Sequence, residues 1–100
     1  MIKYQHESIV HNLDAPREIV PVVNNLLQPK SVVDIGCGIG TFLHVFKKEG
    51  VEKVLGVDGE WVNKKQLQNY IELDEFVEHD LEKPLHLKQK FDLVLKSSIF

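Results

Sequence analysis

The stretch Val32-Val33-Asp34-Ile35-Gly36-Cys37-Gly38-Ile39-Gly40-Thr41 joins a run of mostly apolar, β-branched residues to three alternating glycines. Apolar β-branched residues favour a buried strand, and glycines favour a tight turn because they tolerate positive φ. Residues 41–48, which follow, place apolar side chains at helical spacing, and Gly50 is suited to cap the end of that helix. The stretch therefore predicts a strand, a glycine loop and a helix in succession, an arrangement typical of nucleotide-cofactor sites.

Helix-like and strand-like segments alternate along the rest of the chain. A helix that opens at Ala15-Pro16-Arg17-Glu18, with proline in its first turn, is expected to end before Pro29. Helical spacing predicts that its inner face consists of Ile19, Val22, Val23, Leu26 and Leu27. Strands are predicted at 31–35, 53–58, 75–80 and 91–95, with a short helix at 63–70.

This alternation indicates βαβ units, because parallel neighbours need a crossover connection. The predicted fold class is α/β, with a Rossmann-like, mainly parallel sheet. Residues 1–14 are expected to form an N-terminal arm and residues 15–100 the domain itself. In such sheets ligands bind beyond the carboxyl ends of the strands, and the glycine loop lies at that edge.

Composition narrows the classes of function. The 100 residues carry a formal charge of -3, so no broad basic field favours nucleic acid as a partner. Cys37 is the sole cysteine and cannot form an internal disulfide, and residues 1–7 lack the apolar core of a signal peptide, so a cytoplasmic location is the expectation. No apolar stretch approaches the roughly 20 residues that cross a bilayer, and no metal site is predicted.

Two carboxylates mark the ends of neighbouring strands. Asp34 is the next-to-last residue of the first predicted strand, and Asp58 ends the second, 20 residues after Gly38. An acidic side chain at about that distance can accept hydrogen bonds from ribose hydroxyls. The alternatives are a glycine-rich turn without a ligand and aspartates that merely cap turns.

These residues carry a resemblance to a known family. Residues 33–40 resemble the first motif of class I S-adenosylmethionine-dependent methyltransferases, with an acidic residue two before the first glycine and a G-x-G-x-G pattern. Nicotinamide-dependent oxidoreduction fits less well, because the G-x-G-x-x-G fingerprint would place a small residue where Thr41 stands. The chain is also similar to a bacterial subgroup of these methyltransferases over most of its length, in segments 11–12, 15–21, 29–32, 54–59, 79–81 and 91–93.

The resemblance implies a three-layer sandwich with strand order 3-2-1-4, of which residues 15–100 form the N-terminal part only. It implies S-adenosylmethionine as cofactor, with Gly36, Gly38 and the backbone around Cys37 against its methionine and ribose portions. Gly40 completes the tight loop. Asp34 would orient the methionine ammonium, directly or through water.

The adenosine end of the cofactor would meet residues that follow the second and third strands. Asp58 would accept from both ribose hydroxyls beside Gly59, which permits a tight turn. Asp80 would face the adenine amino group, with the Leu81 amide available to a ring nitrogen, although Asp80 equally suits a turn cap. Trp61 would either lie against adenine or cover the start of the next helix.

The methyl acceptor is not identified by these motifs. In the family the fourth strand runs into an acidic segment, which Lys96-Ser97-Ser98 does not match. The hypothesis is a truncated, frameshifted or excised methyltransferase that retains its cofactor half. Its fourth strand would be exposed, which predicts self-association through that edge. The alternative function is a non-catalytic nucleoside-binding or remnant domain.

Overall fold

A computed structural model describes residues 13–97; residues 1–12, which make up most of the predicted arm, and residues 98–100 lie outside the described part. The first and second predicted strands are found at their predicted bounds, and the third and fourth are shorter than predicted. The elements are α1 (Asp14–Leu27), β1 (Ser31–Ile35), α2 (Thr41–Lys48), β2 (Lys53–Asp58), α3 (Lys64–Leu67), a 3₁₀-helix (Leu73–Glu75), β3 (Phe76–Glu78) and β4 (Leu93–Leu95).

The four strands form one sheet in the order β3-β2-β1-β4, and every pair is parallel. This confirms the Rossmann-like α/β fold and the predicted strand order. In the register of the sheet, Asp34 lies opposite Gly56 on one side and Leu95 on the other. The carboxyl ends of β1, β2 and β4 therefore meet at one edge, where Asp34 and Asp58 both lie.

The hydrophobic core lies between the helices and one face of the sheet. Val32 and Val54 belong to the same buried cluster as Val20 of α1, Leu43 of α2 and Leu67 of α3. Because strand side chains alternate between faces, the neighbours of Val32 and Val54 point to the other side. A three-layer form needs helices on that second face as well, whereas residues 13–97 place all three of their α-helices on the first.

The inner face predicted for α1 is wrong for four of its five residues and right for Val23. Val20 and Pro16 are the buried residues of the helix, and Val23 packs against the core beside them. Three of the predicted residues, Val22, Leu26 and Leu27, are 59%, 75% and 61% exposed, and Ile19 is half exposed. Apolar residues occupy two adjacent stripes of α1, so spacing alone does not decide which stripe meets α2 and the sheet.

β4 is an edge strand within residues 13–97, since it pairs only with β1. Val94 is 62% exposed on the face that the α-helices leave uncovered. These features are the ones on which the expected self-association rests, and the association itself stays a prediction. No helix in the described part of the chain has the length and apolar character needed to span a membrane.

Gly56 is expected to be intolerant of a side chain. A Cβ at this position would lie 2.6 Å from the Cys37 Sγ and 3.2 Å from the Leu43 Cδ1. Overpacking a buried site of this kind costs about 1–3 kcal/mol, so Gly56→Ala should lower the free energy of unfolding by that amount in urea titrations.

A double-mutant cycle identifies the cause of that loss. Cys37→Ala removes the nearest atom, so the Gly56→Ala/Cys37→Ala protein should be more stable than the two single changes would give by addition. Strict additivity, or a Gly56→Ala protein as stable as the parent, would contradict the close contact.

Candidate functional site

The glycine loop after β1 is held against the end of β2. Gly36, Gly38 and Gly40 all have positive φ, at 82°, 58° and 90°. The backbone amides of Gly36 and Cys37 both donate to the Val57 carbonyl oxygen, at 2.7 and 3.3 Å. The predicted loop is therefore present, and its three glycines occupy a backbone conformation that other residues rarely adopt.

Cys37 is a buried structural residue of this loop. Its Sγ donates to the Gly38 carbonyl oxygen at 3.3 Å. Burial raises the pKa of the Cys37 thiol, and the nearby Asp34 and Asp58 carboxylates raise it further. The thiol is therefore protonated at neutral pH and is a poor nucleophile.

Asp58 connects the glycine loop to the turn that follows β2. Its side chain is almost fully buried. The Gly38 amide donates to Oδ2 at 2.8 Å, while Oδ1 accepts from the Gly59 amide at 2.8 Å and the Trp61 indole Nε1 at 3.1 Å. One carboxylate thus holds both loops at the carboxyl edge of the sheet.

Asp34 lies on the other side of the loop and is fully buried. The backbone amide of Ser97 donates to its Oδ1 at 3.0 Å, and the Ser97 hydroxyl donates to its Oδ2. Burial raises the pKa of Asp34 from 3.8 to about 6; the Ser97 bonds oppose this rise and the charge of Asp58 adds to it. The carboxylate is thus already engaged by the chain.

Sequence reasoning missed Ser97 as the partner of Asp34. Asp34 pairs with Leu95 across β1 and β4, so the residues that follow β4 run beside the end of β1. Asp34 and Ser97 are 63 positions apart in sequence, so local sequence patterns do not relate them. The pairing of β1 with β4 is the signal that would have identified Ser97. The mismatch of Lys96-Ser97-Ser98 with the family pattern therefore falls on a residue at the site.

An open cleft of about 610 Å³ lies beside Asp58, beyond the ends of β2 and β3. Its volume is within the range of small-molecule sites. Nine of the described residues line the cleft, and five of them were predicted from the sequence to bind the cofactor. The predicted ones are Asp58, Gly59, Trp61, Asp80 and Leu81, and those that the sequence did not single out as ligand-binding are Glu60, Glu78, His79 and Glu82.

The cleft has a marked negative character. Five of its lining residues carry carboxylates. Of these five, Glu78 alone forms an ion pair within residues 13–97, with Lys64 at 2.7 Å. Such a lining favours ligands that present hydroxyl or amino donors or a positive charge. It disfavours a phosphate group, which would be repelled.

Asp80 caps a turn in the structure. Its Oδ1 accepts from the Glu82 amide at 3.0 Å, and its carbonyl oxygen accepts from the Lys83 amide at 2.9 Å. The predicted turn-cap role is therefore present. Asp80 and Leu81 are both exposed within the cleft, so a ligand can still reach them.

Trp61 lies over Gly59 with its indole directed at Asp58. A Cβ at residue 59 would be 2.9 Å from the Trp61 Cδ1, so glycine there is what allows the ring to approach this closely. The side chain of Trp61 is 63% exposed and lines the cleft. Its bond to Asp58 is an arrangement that sequence spacing did not predict.

Together, the parallel sheet, the positive-φ glycine loop and the acidic strand ends define a Rossmann-like α/β domain with a candidate ligand site at the carboxyl edge of its sheet. A family model described as Methyltransferase domain matches residues 5–97. The chain therefore belongs to this methyltransferase domain family. Searches of curated proteins and of solved structures gave no match.

Proposed function

We propose that this methyltransferase domain binds S-adenosylmethionine between the glycine loop and the cleft, for transfer of its methyl group to an acceptor. The observation that carries the proposal is the placement of Asp58. Its carboxylate accepts from Gly38 of the loop and also lines the cleft, so one ligand can contact both parts of the site.

The residues present fit the adenosine portion of this cofactor. Ribose hydroxyls are donors, and Asp58 offers them carboxylate oxygens at the mouth of the cleft. The adenine amino group is also a donor and suits the exposed Asp80, while the Leu81 amide suits a ring nitrogen. Gly59 and Trp61 would lie beside the ribose.

The methionine portion would lie against the glycine loop. Gly36, Gly38 and Gly40 lack side chains, so no Cβ would stand between a ligand and the backbone around Cys37, which is buried in the structure. Asp34 supplies a negative charge that favours the methionine ammonium. Because Ser97 already donates to both of its oxygens, we assign Asp34 an action on the ammonium through this hydroxyl or through water.

When bound, S-adenosylmethionine supplies a sulfonium-activated methyl group that is already a strong electrophile. The residues described here bind and orient that group. Orientation lowers the barrier to transfer once an acceptor is held in line with the methyl group, since holding both reactants in a near-attack geometry is worth about 7–11 kcal/mol in favourable cases. None of them is assigned as a base for the acceptor.

One observation favours the alternative function, a non-catalytic nucleoside-binding domain. Ser97 engages both oxygens of Asp34, and the pKa of Asp34 is raised to about 6, so this carboxyl is less available to an ammonium than an open carboxylate. Nicotinamide-dependent oxidoreduction gains no such support, because the carboxylates of the cleft repel a pyrophosphate.

Calorimetry with four ligands tests the proposal. S-adenosylmethionine and S-adenosylhomocysteine should bind at least about tenfold more tightly than adenosine, since a recognised methionine portion adds more than 1.4 kcal/mol. NAD should show no binding under the same conditions. Equal affinity for adenosine and S-adenosylhomocysteine would favour the nucleoside-binding alternative, and no adenosyl ligand binding would contradict the proposal.

A further inference from the structure

The carboxylate of Asp58 is nearly saturated with hydrogen bonds before any ligand arrives. It accepts from the amides of Gly38 and Gly59 and from the indole of Trp61. An ionised carboxylate offers about four lone-pair positions. A ribose that donates both of its hydroxyls to Asp58 needs two positions, so with three already used one existing donor has to leave.

The three donors differ in their freedom to leave. Gly38 lies in a loop whose neighbours are bonded to the β2 carbonyl of Val57, and Gly59 donates to the residue directly before it. Both are backbone amides that the fold fixes in place. Trp61 donates from a side chain that is 63% exposed, so rotation of the side chain exchanges its partner for water.

We infer that Trp61 is a positioning residue whose indole N–H holds Asp58 Oδ1 in the free protein and gives up this position to a ribose hydroxyl. The inference rests on the proposed function and assigns Trp61 a role that neither adenine stacking nor cover of a helix describes. No covalent step is involved, and the exchange conserves the hydrogen bonding of the carboxylate.

The geometry at Gly59 supports this exchange. A Cβ at residue 59 would lie only 2.9 Å from the Cδ1 of the Trp61 ring. Glycine at this position therefore permits the indole to reach Asp58. Trp61 and Asp58 both line the cleft, so the departing ring stays beside the bound nucleoside.

The free protein gives the first test. Trp61 is the single tryptophan, so a ¹⁵N-labelled sample shows one indole N–H resonance. In the free protein this proton should be shifted downfield and exchange slowly with solvent, and Asp58→Asn should move the resonance and speed the exchange. An indole N–H that exchanges at the rate of a fully solvated one, unchanged by Asp58→Asn, would overturn the inference.

Ligand binding gives the second test. Trp61→Phe keeps an aromatic ring but removes the competing donor, so S-adenosylhomocysteine should bind about three- to tenfold more tightly by calorimetry, the value of one net hydrogen bond. In the parent protein the indole resonance should move toward its solvated position as the ligand saturates. Tyr70→Phe, which removes a polar group from an aromatic residue that does not line the cleft, should leave the affinity unchanged.

Failure of the inference on Trp61 can be distinguished from failure of the proposed function. If S-adenosylhomocysteine binds the parent protein but Trp61→Phe binds it equally or more weakly, Trp61 does not compete with the ribose and the inference is overturned while the proposed function stands. If no adenosyl ligand binds the parent protein, the proposed function fails, and the exchange at Asp58 fails with it.

Discussion

Replacing Asp58 by alanine should weaken binding of S-adenosylmethionine and S-adenosylhomocysteine by at least about a hundredfold in calorimetry. Each hydrogen bond from a ribose hydroxyl to a charged carboxylate is worth about 1.5–3 kcal/mol, and two are lost together. The loss is increased because Asp58 also accepts from the Gly38 amide and so holds the glycine loop in place.

Asp58 is a buried residue, so the alanine protein needs a check on its fold. Asp58→Asn keeps the shape and serves as the second variant; it should also lose most of the affinity, because its amide nitrogen cannot accept from the ribose. Asp74→Asn removes an equal charge from an exposed residue before β3, at the other end of the sheet, and should leave binding unchanged. Affinity within about threefold of the parent in a folded Asp58→Asn protein would contradict the proposed role.

The regular part of the fold was predictable from local sequence. The β1 and β2 bounds follow from mostly apolar runs that end at Ile35 and Asp58, and α2 begins directly after the last glycine of the loop. Local composition is enough here because these strands lie in the middle of the sheet, where burial selects apolar residues at nearly every position. β3 and β4 are edge strands of three residues, and so their ends are poorly defined by sequence.

The partners of the site residues were not predictable in this way. Asp34 meets Ser97 through the register of two strands distant in sequence, and Trp61 reaches Asp58 through the conformation of its side chain. Both contacts supply the hydrogen-bond partners that buried carboxylates need, and local sequence does not name those partners. The prediction of the buried face of α1 failed for a related reason, since only tertiary packing determines that Val20 is buried and Ile19 is not.

Asp34 and Asp58 therefore differ in role although they lie at the same edge of the sheet. Asp58 lines the cleft and has a side-chain donor that can leave. Asp34 is closed off beneath the loop by Ser97, where its charge is costly. A buried carboxylate kept at the expense of stability is typical of a functional site, where activity and stability are in conflict.

Asp34→Asn should therefore stabilise the protein at neutral pH. The pKa of Asp34 in the folded state is about 6, above its usual 3.8, so the folded state retains a proton that the unfolded state loses. Its contribution to stability is present below pH 4 and is lost as pH rises toward 6 and beyond, by about 3 kcal/mol. Asparagine carries no charge and can still accept from the Ser97 amide, so it should avoid this loss.

Urea titrations of both proteins between pH 4 and pH 8 measure the difference. The gain of Asp34→Asn over the parent should be small at pH 4, rise through pH 6 and level off above pH 7, while other titrating groups cancel in the comparison. Ser97→Ala offers the matched control: it removes a bond that lowers the pKa of Asp34, so its loss of stability should increase over the same interval. A gain for Asp34→Asn that is independent of pH would show that the pKa of Asp34 is the same in the folded and unfolded states. Burial of the Asp34 charge would then cost no stability, and the argument for a functional role from that cost would fail.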